Sequence, residues 1–81
     1  MNTNEIKDEI IEILQSLHED IDFETTEKLV DDKVLDSFDL VTLATELGDT
    51  FDVEITARDF VAENFNSVER LVKMIERLLD E

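Results

Sequence analysis

Residues 66–79 read NSVERLVKMIERLL and carry the most regular apolar pattern in the 81-residue chain. The apolar side chains of this segment recur every three or four residues, which places them on one face of a helix. These residues are Val68, Leu71, Val72, Ile75, Leu78 and Leu79. Asn66 and Glu69 have the three-residue spacing of a capping box just before and inside that pattern. The segment therefore predicts a long amphipathic helix that begins near Asn66.

Two more segments have the same period and predict two further long helices. The first is a helix of about 14 residues whose apolar face runs from Ile6 to Leu17; this face comprises Ile6, Ile10, Ile13, Leu14 and Leu17. The second runs from about Ser37 to Phe51, with Asp36 as N-cap and Asp39 as its capping-box partner. Its inner face comprises Leu40, Leu43, Ala44, Leu47 and Phe51. Three long helices are therefore expected.

The remaining segments predict one short helix and one long connection. Thr56 and Asp59 repeat the capping spacing, which predicts a short helix that supplies Phe60 and Val61. Between His18 and Leu35 the helical period is lost, so we expect a long connection held across the bundle by its own scattered apolar side chains. The chain has no proline and only one glycine. We therefore predict an all-α four-helix bundle forming a single domain over residues 1–81.

A calcium-binding loop is the alternative for the acidic part of this connection. Asp20, Asp22 and Glu24 resemble its first ligands, but Thr25 stands where the sharp turn needs glycine. Asp31 stands where a bidentate glutamate is expected. The sequence therefore argues against a metal site in this segment.

Composition excludes several classes of function. The 23 acidic and 7 basic residues give a formal charge of -16, which excludes nucleic-acid binding through a basic face. The chain has no cysteine, so any thiol chemistry must come from an attached group. No apolar stretch approaches the roughly 20 residues that span a bilayer. The residues after Met1 do not show the basic and then apolar run of a signal peptide. We expect a complete, monomeric, cytoplasmic protein without membrane insertion.

The residue types needed for ordinary catalysis are scarce. There is no cysteine nucleophile and no tyrosine, and a single glycine cannot form a phosphate-binding loop. The lone His18 lies beside Glu19 near the end of the first helix, where a charge role is expected rather than a ligand role. The abundant carboxylates are expected to be a solvated surface. We therefore predict a protein that is not itself an enzyme.

The segment LDSFDL, residues 35–40, holds the candidate functional residue. If Asp36 caps the second helix, Ser37 lies in its first turn, where free N–H groups carry partial positive charge. A phosphodiester on the Ser37 hydroxyl would be stabilised at that helix end. The alternative is that the serine side chain only helps to cap the helix.

Charge and apolar residues around this segment indicate a docking surface. Between Lys33 and Arg58 lie six acids and no base: Asp36, Asp39, Glu46, Asp49, Asp52 and Glu54. Such a surface steers a basic partner, although solubility alone would also explain it. Phe38 and Val41 lie off the inner face and predict a small apolar contact patch. Alternatively, Phe38 packs under the long connection.

These features occur together in one known family. Asp36-Ser37-Phe38-Asp39-Leu40, followed by Phe51-Asp52-Val53-Glu54-Ile55 and a short helix, resembles the acyl carrier proteins over essentially the whole chain. The resemblance implies that Ser37 carries 4′-phosphopantetheine, transferred from coenzyme A by a phosphopantetheinyl transferase. It also implies that an acyl group is held as a thioester on that arm and shuttled between enzymes.

The resemblance further implies roles for surface and core residues. Acyl-transfer, synthase or ligase enzymes with basic docking patches would contact the acidic and apolar residues near Ser37: Asp36, Phe38, Asp39, Val41, Glu46 and Asp49. A cleft between the helices would accept an acyl chain, lined by Leu43, Ala44, Leu47, Phe51, Ile55 and Ile75.

Some residues depart from the pattern of fatty-acid carriers and leave the cargo open. Val34 and Leu35 fill a stretch that often holds glycine, and Thr42 and Gly48 occupy positions that are frequently acidic. Phe38 in place of leucine is similar to the D-alanyl carrier proteins of teichoic acid modification. A carrier for fatty acid biosynthesis, a polyketide carrier, and an aminoacyl or peptidyl carrier all remain possible. An unmodified acidic adaptor is a further alternative.

Overall fold

The computed structural model describes residues 2–19, 21–23 and 28–80 and is helical, with no strand in these residues. Its four helices are α1 (Thr3–Leu17), α2 (Ser37–Phe51), α3 (Ala62–Phe65) and α4 (Val68–Leu79). Three are long and one is short, and a connection of residues 18–36 follows α1. The predicted all-α arrangement is therefore confirmed. Nowhere in the described residues does a helix combine the length and apolar character that crossing a membrane requires.

Three long helices enclose the core. α1 packs against both α4 and α2, and α3 packs against α4. Buried side chains of the predicted inner faces form most of this core: Ile6, Ile10 and Leu14 of α1; Leu43, Leu47 and Phe51 of α2; and Val68, Leu71, Val72 and Ile75 of α4. Leu79 was expected on this face but is 43% exposed. It is the last residue of α4.

The connection after α1 is anchored by its own apolar residues. Phe23, Leu29 and Leu35 are each at most 2% exposed and belong to the core. The backbone N–H of Leu35 donates to the Leu29 carbonyl at 2.9 Å, which closes a compact loop within the connection. This confirms the expectation that scattered apolar side chains hold the segment across the bundle.

The capping box of α2 forms as predicted. The Asp36 carboxylate Oδ1 accepts a hydrogen bond from the Asp39 N–H at 2.8 Å, and Asp39 Oδ2 accepts one from the Asp36 N–H at 3.4 Å. The helix ends at Asp52, whose backbone is left-handed with φ 53°, a conformation that aspartate tolerates. Gly48 lies near this end because a Cβ there would come within 3.1 Å of the Val53 carbonyl oxygen.

The start of α4 differs from the prediction. Ser67, not Asn66, is the N-cap, and its side chain accepts a hydrogen bond from the Arg70 N–H at 3.1 Å. The Asn66 side-chain oxygen instead accepts from the N–H groups of Val30 and Asp31, at 3.0 and 3.1 Å. The Asn66 side chain therefore binds the long connection rather than its own helix.

The short helix also begins later than predicted. Thr56 and Asp59 lie in a turn, α3 begins at Ala62, and Phe60 and Val61 precede the helix. The Asp59 side chain accepts a hydrogen bond from the Thr56 hydroxyl, but it also binds Arg77 of α4. The capping-box spacing is therefore used to fix a turn against α4.

Candidate functional site

The Ser37 side chain lies exposed at the first position of α2. Asp36 provides the N-cap hydrogen bond of this helix, so the serine side chain is not needed for capping. Within the described part of the chain, the Ser37 hydroxyl makes no hydrogen bond. The hydroxyl is thus accessible and without an internal structural role.

The helix start gives this hydroxyl a favourable environment for an anion. The first N–H groups of a helix have no partner inside it, and together with the aligned peptide dipoles they carry partial positive charge. At an exposed site this stabilises an anion by about 0.3–1 kcal/mol. In α2 the Asp39 N–H already donates to Asp36 Oδ1, so a negatively charged group bonded to Ser37 Oγ would lie beside the remaining N–H groups of the first turn.

An apolar surface adjoins Ser37. Phe38 and Val41 of α2 are 78% and 58% exposed, so Phe38 does not pack under the connection. Phe60 and Val61, which precede α3, are also exposed, and the Phe60 ring lies 5.3 Å from that of Phe65. We name Phe38 and Val41 the apolar patch.

A small apolar pocket lies between α2, α3 and the long connection. Its volume is about 50 Å³, and it is lined by Val30, Leu40, Phe60, Val61, Ala62 and Phe65. Leu40 is one helical turn after Ser37, so the pocket opens close to the start of α2. Such a pocket is only about a third of the roughly 150 Å³ cavity that accommodates a benzene molecule.

The six residues predicted to line an acyl cleft lie in the core or against it. Leu43, Leu47 and Ile75 are fully buried, and Phe51 is 5% exposed. Ala44 and Ile55 are half-buried and pack against the same core. None of the six lines the small pocket. They are brought together as packing residues of the helix bundle.

The acidic residues near Ser37 fall into two groups. Asp36, Glu46 and Asp49 are exposed. The Asp39 side chain is only 16% exposed, and its Oδ2 lies 2.7 Å from His18 Nε2 at the end of α1. The sequence analysis assigned His18 a charge role at its own helix end and missed this pair, because 21 residues separate the two.

An ion pair joins the turn before α3 to the last turn of α4. The Asp59 side chain is 5% exposed and accepts a hydrogen bond from Arg77 Nη2 at 2.5 Å. The Arg77 guanidinium, together with the Thr56 backbone and hydroxyl, holds the pKa of Asp59 below its ordinary value, although burial opposes this. Arg77 lies in the last turn of α4. Asn66 and Ser67 lie at the start of that helix, where their side chains bind other backbone N–H groups of the chain.

The described residues contain no arrangement of side chains that could bind a metal ion. No group of three or more histidine, cysteine, aspartate or glutamate side chains among them is placed to hold an ion. Three residues considered for a calcium loop, Asp20, Glu24 and Thr25, lie outside the described residues.

Comparison with known proteins identifies the chain's relatives. Residues 4–75 match the family described as "Phosphopantetheine attachment site". The "D-alanyl carrier protein" of Streptococcus sanguinis (strain SK36) is 35% identical over 75 residues, covering 91% of this chain and 95% of that protein. The proteins of the same name from Streptococcus gordonii and Streptococcus pyogenes serotype M5 are 33% and 34% identical, with similar coverage. No solved structure matches the chain.

The site has features that suit the prosthetic group of this family. A hydroxyl that is exposed and free of internal hydrogen bonds is accessible for covalent modification, and the helix start beside it favours a phosphate. The apolar patch next to it offers contact for a long flexible arm. A fold of four helices and a family match across most of the sequence agree with these features. The chain therefore belongs to the phosphopantetheine-binding carrier proteins, which hold their cargo on a covalently attached 4′-phosphopantetheine.

Proposed function

We propose that Ser37 is the attachment residue and that the carrier transports a small aminoacyl group of the D-alanyl type. The observation that carries the attachment is the exposed Ser37 hydroxyl, which makes no hydrogen bond in the described residues while Asp36 caps the helix. The cargo is supported by the relatives, which are named D-alanyl carrier proteins.

The attachment reaction uses Ser37 as a nucleophile. Ser37 Oγ attacks the phosphorus of coenzyme A that bears the pantetheine arm, so an Oγ–P bond forms and the pyrophosphate P–O bond breaks. The adenosine 3′,5′-bisphosphate half leaves, and the hydroxyl proton passes to a base of the phosphopantetheinyl transferase. The first N–H groups of α2 stabilise the resulting phosphodiester charge.

The attached group supplies the terminal thiol that this cysteine-free chain lacks, and that thiol holds the cargo as a thioester. The chain itself provides an anchor, a solvent-facing helix start and a docking surface. We accordingly propose one carrier domain over residues 1–81 that is not itself an enzyme. Because its donor, coenzyme A, is a cytoplasmic metabolite, we place this monomer in the cytoplasm.

The docking surface would combine charge with apolar contact. Asp36, Glu46 and Asp49 are exposed acids on α2 or at its start, and they would steer basic patches of the transferase and of an aminoacyl ligase. Phe38 and Val41 would provide the apolar contact at the centre. Asp39 would contribute less of its charge, because its carboxylate binds His18.

The size of the cargo follows from the packing near Ser37. A pocket of about 50 Å³ leaves little room for an acyl chain. Residues that would line a larger cleft, such as Leu43 and Ile75, are fully buried in the core, and opening that core would expose them. A small polar aminoacyl group needs no such cleft and remains outside, whereas a fatty-acyl cargo would require the bundle to open.

Intact-mass spectrometry tests the attachment. The wild-type protein, incubated with coenzyme A and a broad-specificity phosphopantetheinyl transferase, should gain the mass of one phosphopantetheine. Ser37→Ala should gain none, and Ser16→Ala, which removes an exposed serine hydroxyl from α1, should be modified like wild type. A wild-type protein that stays unmodified with several transferases would contradict the assignment.

The cargo is tested on protein isolated from its host. Cleavage of the thioester with hydroxylamine should release a small amino acid, which chiral chromatography identifies as D-alanine. A long acyl chain would contradict the proposed cargo while leaving the carrier role intact. An unmodified adaptor, the remaining alternative, predicts host protein bare at Ser37 and partner binding that Ser37→Ala does not change.

A further inference from the structure

We propose that His18 is a positioning residue for Ser37, acting through Asp39; the inference rests on the proposed attachment of the prosthetic group at Ser37. His18 Nε2 and Asp39 Oδ2 are 2.7 Å apart, and the two side chains are 32% and 16% exposed. This contact joins the end of α1 to the first turn of α2 across the whole long connection.

The chemistry of the pair fixes the direction of the hydrogen bond. A carboxylate only accepts hydrogen bonds, so the histidine nitrogen facing it must carry a proton. His18 Nε2–H therefore donates to Asp39 Oδ2, whether the ring is neutral or protonated. With a partly shielded carboxylate as acceptor, this bond is stronger than one between neutral groups.

The same Asp39 oxygen belongs to the capping box. Asp39 Oδ2 also accepts from the Asp36 N–H at 3.4 Å, a long and therefore weak bond, while the Asp39 N–H donates to Asp36 Oδ1 at 2.8 Å. Ser37 lies between these two aspartates in the sequence. Fixing the Asp39 carboxylate consequently fixes the backbone turn that presents the Ser37 hydroxyl.

The end of α1 is itself held in place, so the position of His18 is fixed relative to the core. The His18 N–H donates to the Leu14 carbonyl at 3.0 Å as the C-cap of α1, and Leu14 is fully buried. Without the His18 bond, the first turn of α2 would depend on its capping box and on Leu35, the buried residue just before Asp36. We infer that the hydroxyl would then sample more orientations, and a transferase would find it aligned less often.

The test measures transferase kinetics on three variants beside the wild type. His18→Ala removes the donor, and His18→Gln restores an N–H donor without the ring. Ser67→Ala is the matched control: it removes one hydrogen bond from the start of α4, away from Ser37. We expect His18→Ala to lower kcat by roughly three- to tenfold, the effect of losing one hydrogen bond. His18→Gln should recover most of this loss, and Ser67→Ala should match wild type.

Amide hydrogen exchange provides a readout that is independent of modification. The N–H groups of Asp36 and Asp39 should exchange faster in His18→Ala than in wild type, and His18→Gln should restore their protection. In Ser67→Ala, these two amides should exchange at the same rates as in wild type. Exchange in the α1 residues, such as Ile10, checks that the helix bundle is intact in each variant.

Several outcomes would overturn the inference. One such outcome is a kcat for His18→Ala equal to that of wild type. Another is a kcat for His18→Gln as low as that of His18→Ala. A lower KM for His18→Ala without a change in kcat would show that the histidine only masks the Asp39 charge. Equal slowing by Ser67→Ala would show an effect of overall stability. If the wild type and all variants stay unmodified, the proposed attachment itself fails, an outcome distinct from a fast His18→Ala.

Discussion

The start of α2 and the start of α4 are built from similar residues but use them differently. Each helix has a polar N-cap, Asp36 and Ser67, whose side chain accepts a hydrogen bond from the N–H three residues later. In α4 the serine is the cap itself. In α2 the aspartate is the cap, and Ser37 follows it with its hydroxyl free of hydrogen bonds in the described structure.

The difference extends to the neighbouring residues. At the start of α4, Asn66 binds the long connection and Ser67 caps the helix, so each polar side chain stabilises the fold. Near Ser37, the Phe38 side chain is 78% exposed. The neighbouring Asp36 side chain is exposed as well. Polar residues at one helix start hold the structure together, while at the other they leave a hydroxyl available for chemistry.

The largest stability effect is expected at the buried carboxylate of Asp59, which pairs with Arg77 in the last turn of α4. Asp59→Asn keeps the size of the side chain but removes the charge that binds Arg77 Nη2. A hydrogen bond between charged groups contributes about 1.5–3 kcal/mol, so we expect a loss of roughly 2 kcal/mol in the free energy of unfolding. Urea denaturation measures this. Asp36→Asn, which keeps a capping side chain, serves as the comparison at α2, and an equal loss there would contradict the distinction.

The Asp59 ion pair should also depend on pH. Its pKa in the folded protein lies below the ordinary value of 3.8, so the unfolded state takes up a proton first as pH falls. The stabilisation is therefore fully present above about pH 4 and is lost as pH falls through the folded pKa. The difference in unfolding free energy between wild type and Asp59→Asn should shrink in that acidic range. A constant difference from pH 7 to pH 3 would exclude the ion pair as its cause.

The two serines provide the most direct comparison. Ser67→Ala should lower the free energy of unfolding by about 1 kcal/mol, the usual cost of removing an N-cap. Ser37→Ala should change it by less than about 0.5 kcal/mol, because the exposed hydroxyl makes no bond to lose. Thermal and urea unfolding of the two variants in parallel measure both values. Equal losses would mean that Ser37 has a structural role after all.

The smallest effect concerns docking rather than stability. Glu46→Gln removes an exposed acid of α2, and Glu69→Gln removes an acid of α4 that lies 3.9 Å from Lys73. We expect Glu46→Gln to slow association with the transferase roughly twofold at low salt, since one charge of the steering surface is lost. Glu69→Gln should leave the rate unchanged. Stopped-flow association at two salt concentrations measures this, and an equal slowing by both variants would point to net charge alone.

Local patterns were sufficient to predict much of the fold. The bounds of α2, Ser37 to Phe51, were predicted because Asp36 and Asp39 interact within one helical turn and the apolar period is unbroken. The same period placed Phe38 off the inner face, but it did not decide between exposure and packing under the long connection, and the structure shows that Phe38 is exposed. Interactions of this kind depend on residues three or four positions apart, which a single sequence displays directly.

Three of the errors involve distant partners. Asn66 has the spacing of a cap, but its side chain is used by Val30 and Asp31, more than 30 residues earlier. Thr56 and Asp59 have the same spacing, yet Arg77 draws the aspartate into a turn against α4. The His18 contact with Asp39 was missed for the same reason. A capping motif shows that a polar group is available, whereas tertiary structure decides which donor it accepts.

Asn66 also has a consequence for the order in which the protein folds. Its backbone carbonyl accepts a hydrogen bond from the Leu29 N–H at 2.8 Å, and its side-chain oxygen accepts from the N–H groups of Val30 and Asp31. Contacts between segments so far apart carry a large loop-closure cost and form slowly. Residues 29–31 of the connection are thus expected to reach their final position only after the α3–α4 junction has assembled. Pulsed hydrogen exchange during refolding would show the amides of residues 29–31 becoming protected no earlier than those of α4.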